Sequence, residues 1–214
     1  MTRPTHTVQI PVQIRLARPS DAPALEAMQQ RSARELSTLH YSRAMVEAYL
    51  SQCGTLDVQL IRDQHYFVAT HDGTVVGSGG WSDRRRSYGG GESDAGERRD
   101  PAREPAVIRG MFVEPALARR GIGERILAVA EDAARRAGFG SVELWATPLG
   151  ARLYERTGYT VERRLELQLA GGHALAMLHM SKALACESRP APHPRAPLAA
   201  SWRADPTARR TRRA

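Results

Sequence analysis

Apolar positions along the chain mark out its elements. From Val12 to Ala17 they alternate, with Val12, Ile14 and Leu16 on one side, and this predicts a strand. Ser20 is placed to cap a helix that runs to about Leu36, with Leu25, Met28, Ser32 and Leu36 on one stripe. Ser42 is placed to cap a second helix, with Met45, Val46, Tyr49 and Leu50 facing inward. Residues 65–70 and 74–81 flank Asp72-Gly73, a strong hairpin signal. Beyond these lie a predicted strand over 106–113, a helix over 121–137, a strand over 140–146 and a helix over 149–157. Two more strands, near 159–169 and 173–181, turn at Gly171-Gly172. Strands first, then strand–helix–strand–helix, predict an α/β fold with a mixed central sheet.

Three stretches lack any such period. Residues 1–11 read as a flexible lead. Residues 83–105 are rich in Arg, Gly, Glu and Asp and read as a long mobile loop. Residues 184–214 hold five prolines and seven arginines against Glu187 and Asp205, and read as a disordered tail. That leaves one domain over 12–183.

The whole chain has 214 residues, 42% hydrophobic and 25% charged, which suits a single buried core with tails. Much of its net charge of +8 sits in the tail. The closing Arg-Arg-Thr-Arg-Arg could touch nucleic acid, but a solvated tail with no specific partner is the favoured reading. No run of about 18 apolar residues predicts a membrane span. The N-terminus lacks an apolar signal region. Cys53 and Cys186 lack metal-ligand spacing, so no metal and a reduced, cytoplasmic protein are expected.

Candidate chemistry enters after the 106–113 strand. Pro115 ends the strand, and Arg119-Arg120-Gly121-Ile122-Gly123-Glu124 opens the next helix. A glycine turn leading into a helix N-terminus offers unpaired N–H groups and a positive dipole end to an anion. A Walker loop is excluded because Glu124-Arg125 stands where Lys-Ser/Thr is needed. A dinucleotide fingerprint is excluded because Ile126 occupies the third glycine position. On these residues alone, a plain flexible helix start is about as good a reading.

A second segment, Ala151-Arg152-Leu153-Tyr154-Glu155-Arg156-Thr157-Gly158-Tyr159, follows about 30 residues later. Together with Val113-Glu114-Pro115 and Arg119-Arg120-Gly121-Ile122-Gly123, in this order and spacing, it closely resembles the GNAT superfamily of acyl-coenzyme A-dependent N-acyltransferases. A weaker likeness spans roughly Ile14 to Lys182 and includes Gly77-Ser78-Gly79-Gly80-Trp81.

The resemblance implies a mostly antiparallel sheet flanked by helices and splayed where the strands at 106–113 and 140–146 part. Acetyl-coenzyme A would lie there as cosubstrate. Its pantetheine arm would pair with Met111, Phe112 and Val113, and its pyrophosphate would sit on the N–H groups of Arg119, Arg120, Gly121, Ile122, Gly123 and Glu124. Tyr154 matches the family's general-acid tyrosine; the bland reading is a core tyrosine on a short amphipathic helix. His40, Tyr41 and Trp81 stand where relatives line the acceptor pocket, though packing suits each as well.

The chain departs from the family at Ala118, where Arg or Gln is more usual, and at Thr147, where many relatives carry Asn. No general base is readable, because the expected inward positions are Val107 and Arg109. Arg109 suits either an anionic group of the acceptor or an ion pair with Glu143. The implied reaction is acetyl transfer to a primary amine of a small molecule or peptide, with a homodimer allowed for. The alternative is a coenzyme A-binding regulatory module of the same fold with little chemistry.

Overall fold

A computed structural model describes residues 10–38, 40–85 and 96–184. The lead over 1–9, the centre of the predicted mobile loop over 86–95, and the tail from 185 lie outside the described residues.

The elements run β1 (Gln13–Leu16), α1 (Ala22–Ser37), α2 (Arg43–Cys53), α3 (Val58–Arg62), β2 (Tyr66–His71), β3 (Thr74–Ser82), β4 (Ala106–Val113), α4 (Ile122–Arg136), β5 (Ser141–Ala146), α5 (Pro148–Arg156), β6 (Thr160–Leu169) and β7 (His173–Ala183). The strands form one seven-stranded sheet in the order β1-β2-β3-β4-β5-β7-β6, antiparallel except between β4 and β5. On one face, α4 and α5 pack Leu127, Ala130, Ala151 and Tyr154 against Ile108, Val142 and Leu144. On the other, α1 and α3 pack Leu25, Met28 and Leu60 against Tyr66 and Val68. There α2 covers Leu175 and Met177 of β7. Among the described residues, no helix is long and apolar enough to cross a membrane.

Local signals account for several boundaries. Asp72 and Gly73 both take positive φ, 48° and 76°, the two-residue turn whose twist matches a hairpin. Ser42 Oγ accepts from Met45 N at 3.2 Å and caps α2. Ser20 caps nothing. A short 3₁₀ turn over Pro19–Asp21 precedes α1 instead. Asp21 accepts from Arg18 N at 2.7 Å and binds Arg15 through both oxygens. The buried stripe of α1 keeps Leu25, Met28 and Ser32 but ends in Ala33, while Leu36 is only half-buried and Gln29 is fully enclosed. The five-residue α3, capped by Asp57, has too few turns to show a period and escapes sequence reading.

The described flanks of the predicted loop are strapped by ion pairs. Arg84 grips Asp63 at 2.6 and 2.7 Å, Arg85 grips Glu104 at 2.9 and 2.7 Å, and Arg98 pairs with Asp83. Arg99 reaches Glu143 on β5 at 2.8 Å. Hydrophobic patterning is blind to such ties because they use charge.

One topological fact positions the site. β4 and β5 are registered only at Ala106↔Val142 and Val107↔Glu143. From Ile108 onward β4 keeps its antiparallel partner β3 and leaves its other edge open toward β5.

Candidate active site

The open edge of β4 is shaped by a bulge. Gly110 has φ 64°, and the register with β3 shifts between Ser78 and Gly80. A Cβ on Gly110 would lie 2.6 Å from Tyr66 Oη, so only glycine fits. Beneath it lies a buried polar network. Tyr66 Oη donates to Gly110 O at 2.8 Å, and Gln29 Nε2 donates to Tyr66 Oη at 2.7 Å and to Ser78 Oγ at 3.1 Å. Burial pushes the Tyr66 phenol well above its ordinary range, so it stays a donor. Past the bulge, Met111 and Val113 turn toward α4 and Phe112 toward α1. These are the three residues singled out for their backbone.

The strand leads into the glycine turn. Arg119 and Gly121 take positive φ, 64° and 80°, and α4 starts at Ile122. Arg125 N is the first α4 amide to reach a backbone acceptor, Gly121 O at 3.1 Å. The N–H groups of Ile122, Gly123 and Glu124 therefore remain as orphan donors of the first turn. Arg119 and Arg120 are exposed and make no ion pair among the described residues. The Glu124 carboxylate, which would repel an anion, is held by Arg156 of α5. Gly123 lets α4 and α5 meet: a Cβ there would lie 3.3 Å from Leu153 Cδ2.

On α5, Thr147 accepts from Gly150 N at 3.3 Å and caps the helix, so this departure from the family pattern retains a capping side chain. Tyr154 is 8% exposed, edge-on to Tyr159 at 5.5 Å between ring centroids. Burial raises its phenol above the ordinary value, which keeps the proton on oxygen at neutral pH.

The remaining sequence-selected residues separate. Tyr41 is half-buried close to Thr147 and Leu149, at the N-terminus of α5, and burial raises its phenol above the ordinary value. His40 is exposed. Trp81 is buried at 4%, stacked on His65 at 3.8 Å and edge-on to Phe139, so its environment is core. Arg109 pairs with Asp57 at 3.7 Å, not with Glu143. Of the two roles weighed for Arg109, the ion pair with Glu143 does not form, because Val107, not Arg109, is registered to Glu143, and the strands part beyond it.

Glu143 instead binds Arg99 and His179, with His179 Nε2 at 3.0 Å. No sequence signal marked His179. It becomes visible only once β7 pairs with β5. Asp63, His65 and Asp83 also converge closely enough to hold a cation, but Arg84 binds Asp63 and Arg98 binds one oxygen of Asp83, so two guanidinium groups already supply positive charge there.

A family model for the acetyltransferase (GNAT) family matches residues 25–159. The chain belongs to this family. The sequence resemblance is thus borne out, and the chain is an acetyltransferase. A search of curated proteins finds no match. Among solved structures, a GCN5-related N-acetyltransferase from Rhodopseudomonas palustris is 21% identical to this acetyltransferase. The likeness covers 84% of this chain and 99% of that one, with TM-score 0.63. The PaiA N-acetyltransferase from Thermoplasma acidophilum, in complex with coenzyme A, is 17% identical over 82% of this chain and 100% of that one, with TM-score 0.60. A ribosomal-protein-alanine N-acetyltransferase from Brucella melitensis is 20% identical over 80% of this chain and 99% of that one, with TM-score 0.55. At these identities the likeness is one of fold.

Proposed function

We propose that this acetyltransferase moves acetyl from acetyl-coenzyme A directly to a primary amine on a small molecule or peptide. The observation that carries the reading is the parting of β4 and β5 after Val107 and Glu143, with an unpartnered helix N-terminus at one end and Tyr154 on the adjoining helix. The residues present fit the cosubstrate. The free edge of β4 from Ile108 to Val113 can hydrogen-bond an amide-bearing arm. The orphan N–H groups of Ile122, Gly123 and Glu124 suit a pyrophosphate, and the exposed Arg119 and Arg120 add charge at its entrance. With both strand edges satisfied by the arm, the split sheet would leave few unpaired backbone groups.

In this reading Tyr154 is the general acid. Its buried, protonated phenol lies on the α4/α5 face, where the departing thiolate would form, and it donates the proton that the thiolate needs. Tyr41 and the N-terminus of α5 form the rim through which the amine approaches. The test is thiol release from acetyl-coenzyme A across a panel of amines that includes both small polyamines and peptide N-termini. Release that depends on the added amine is the expected outcome. Tight binding of acetyl-coenzyme A with no release from any amine would favour a regulatory module over an enzyme acting on amines.

A further inference from the structure

Glu143 sits at the apex of the split, opposite the last β4 residue still registered to β5. Side chains alternate along β5. Val142, Leu144 and Ala146 enter the core shared with Tyr154, so Glu143 and Trp145 face the other side, toward α2. His179 on β7 is registered to Trp145, its ring 4.6 Å from the indole, and its Nε2 meets Glu143 Oε2 at 3.0 Å. Arg99 holds the second oxygen of the same carboxylate at 2.8 Å. A carboxylate oxygen accepts, so Nε2 carries a hydrogen, and in the neutral imidazole Nδ1 is then the nitrogen with the lone pair. Nδ1 has no hydrogen-bond partner among the described residues, and it is not among the polar atoms sealed from solvent. The side chain keeps 15% exposure.

We propose that His179 accepts the proton of the attacking amine, with Glu143 as its positioning residue. The inference rests on the amine-acetylation reading above. The amine nitrogen attacks the thioester carbonyl carbon, the C–N bond forms and the C–S bond breaks. One N–H proton passes to His179 Nδ1, directly or through one water. The thiolate takes the Tyr154 hydroxyl proton. Solvent then removes the proton from His179 and restores the one on Tyr154. Acid and base stand on opposite faces of the parted strands, so the amine and the leaving sulfur are each served from their own side.

The other charged groups facing His179 are accounted for. Arg163 of β6 is registered to it but lies over the Trp145 ring at 5.0 Å, and the Glu162 carboxylate is taken by Ser181 and Thr160. The other half-buried histidine near β4 offers no such route. His65 is stacked on Trp81 with its Nδ1 sealed from solvent.

The experiment measures amine-dependent thiol release by the full chain across pH, with one amine throughout. His179→Gln keeps an N–H for Glu143 but has no basic nitrogen, and His179→Asn serves as a second variant if the first is insoluble. The expected result is a fall in kcat/KM of about 10²-fold or more. The wild type is expected to lose rate on the acid side and the variant to lack that decline, while the thermal shift caused by acetyl-coenzyme A is kept. Glu143→Gln should cost less and retain the acid-side decline. A histidine variant with the wild-type rate and pH profile overturns the proposal, as does a loss of cosubstrate binding that matches the loss of rate. Absence of amine-dependent release from the wild type overturns the amine reading itself, and this inference with it.

Discussion

The Tyr66 hydroxyl donates to the Gly110 carbonyl at 2.8 Å, and a Cβ on Gly110 would lie 2.6 Å from that same hydroxyl oxygen. One contact thus anchors the bulge and restricts its residue type. Tyr66→Phe should keep the ring packing but leave the Gln29 amide short of a partner. The expected cost is about 1–3 kcal/mol, read by chemical denaturation. Gly110→Ala should be worse, because it adds the clash to an unfavourable φ, and it should also weaken acetyl-coenzyme A binding. If Gly110→Ala binds the cosubstrate as tightly as the wild type, the bulge does not set the open edge of β4.

Tyr154→Phe should separate chemistry from binding. The ring keeps its place against Tyr159, so acetyl-coenzyme A affinity should hold. The maximal rate should fall by about 10²-fold, the scale of a lost general acid. An unchanged rate in single-turnover measurements would mean that water protonates the thiolate.

Acetyl-coenzyme A should raise the melting temperature. At a concentration 100 times its dissociation constant, the gain is about 2.7 kcal/mol. Gly121→Ala probes the turn. Its Cβ would meet no protein atom, so the cost in the free protein should be confined to placing a side chain at φ 80°, about 1–2 kcal/mol. The ligand-induced shift should shrink in addition, because the new methyl group stands at the anion site. An undiminished shift would remove Gly121 from that site.

The strap over residues 96–104 should loosen in acid. The Arg85 guanidinium holds the Glu104 carboxyl down to about 2, from an ordinary 4.5, and Arg84 holds Asp63 below its ordinary 3.8. Depressed carboxyls contribute stability above their unfolded values and lose it as pH falls through the folded ones. Hydrogen exchange at residues 96–104 should therefore be slow above about pH 4.5 and, after correction for intrinsic rates, rise between there and about pH 2. Protection unchanged across that window would show that these ion pairs do not hold the strap.

The sequence alone determined what is local. Backbone angles at Asp72-Gly73 and Gly121, the cap at Ser42 and the period of α4 each depend on a few neighbouring residues, so their elements could be read directly. The order of the elements and the two motifs around Gly121 and Tyr154 carried the fold class and the family. What tertiary structure decided is pairing across distance. Gln29, Tyr66, Ser78 and Gly110 share hydrogen bonds from four separate elements, and no local pattern links them. Whether Glu143 meets Arg109 or His179 depends on the residue at which β4 and β5 part. Beyond Val107 each step along the diverging strands carries Arg109 away from Glu143, whereas β7 stays paired with β5 and brings His179 to it.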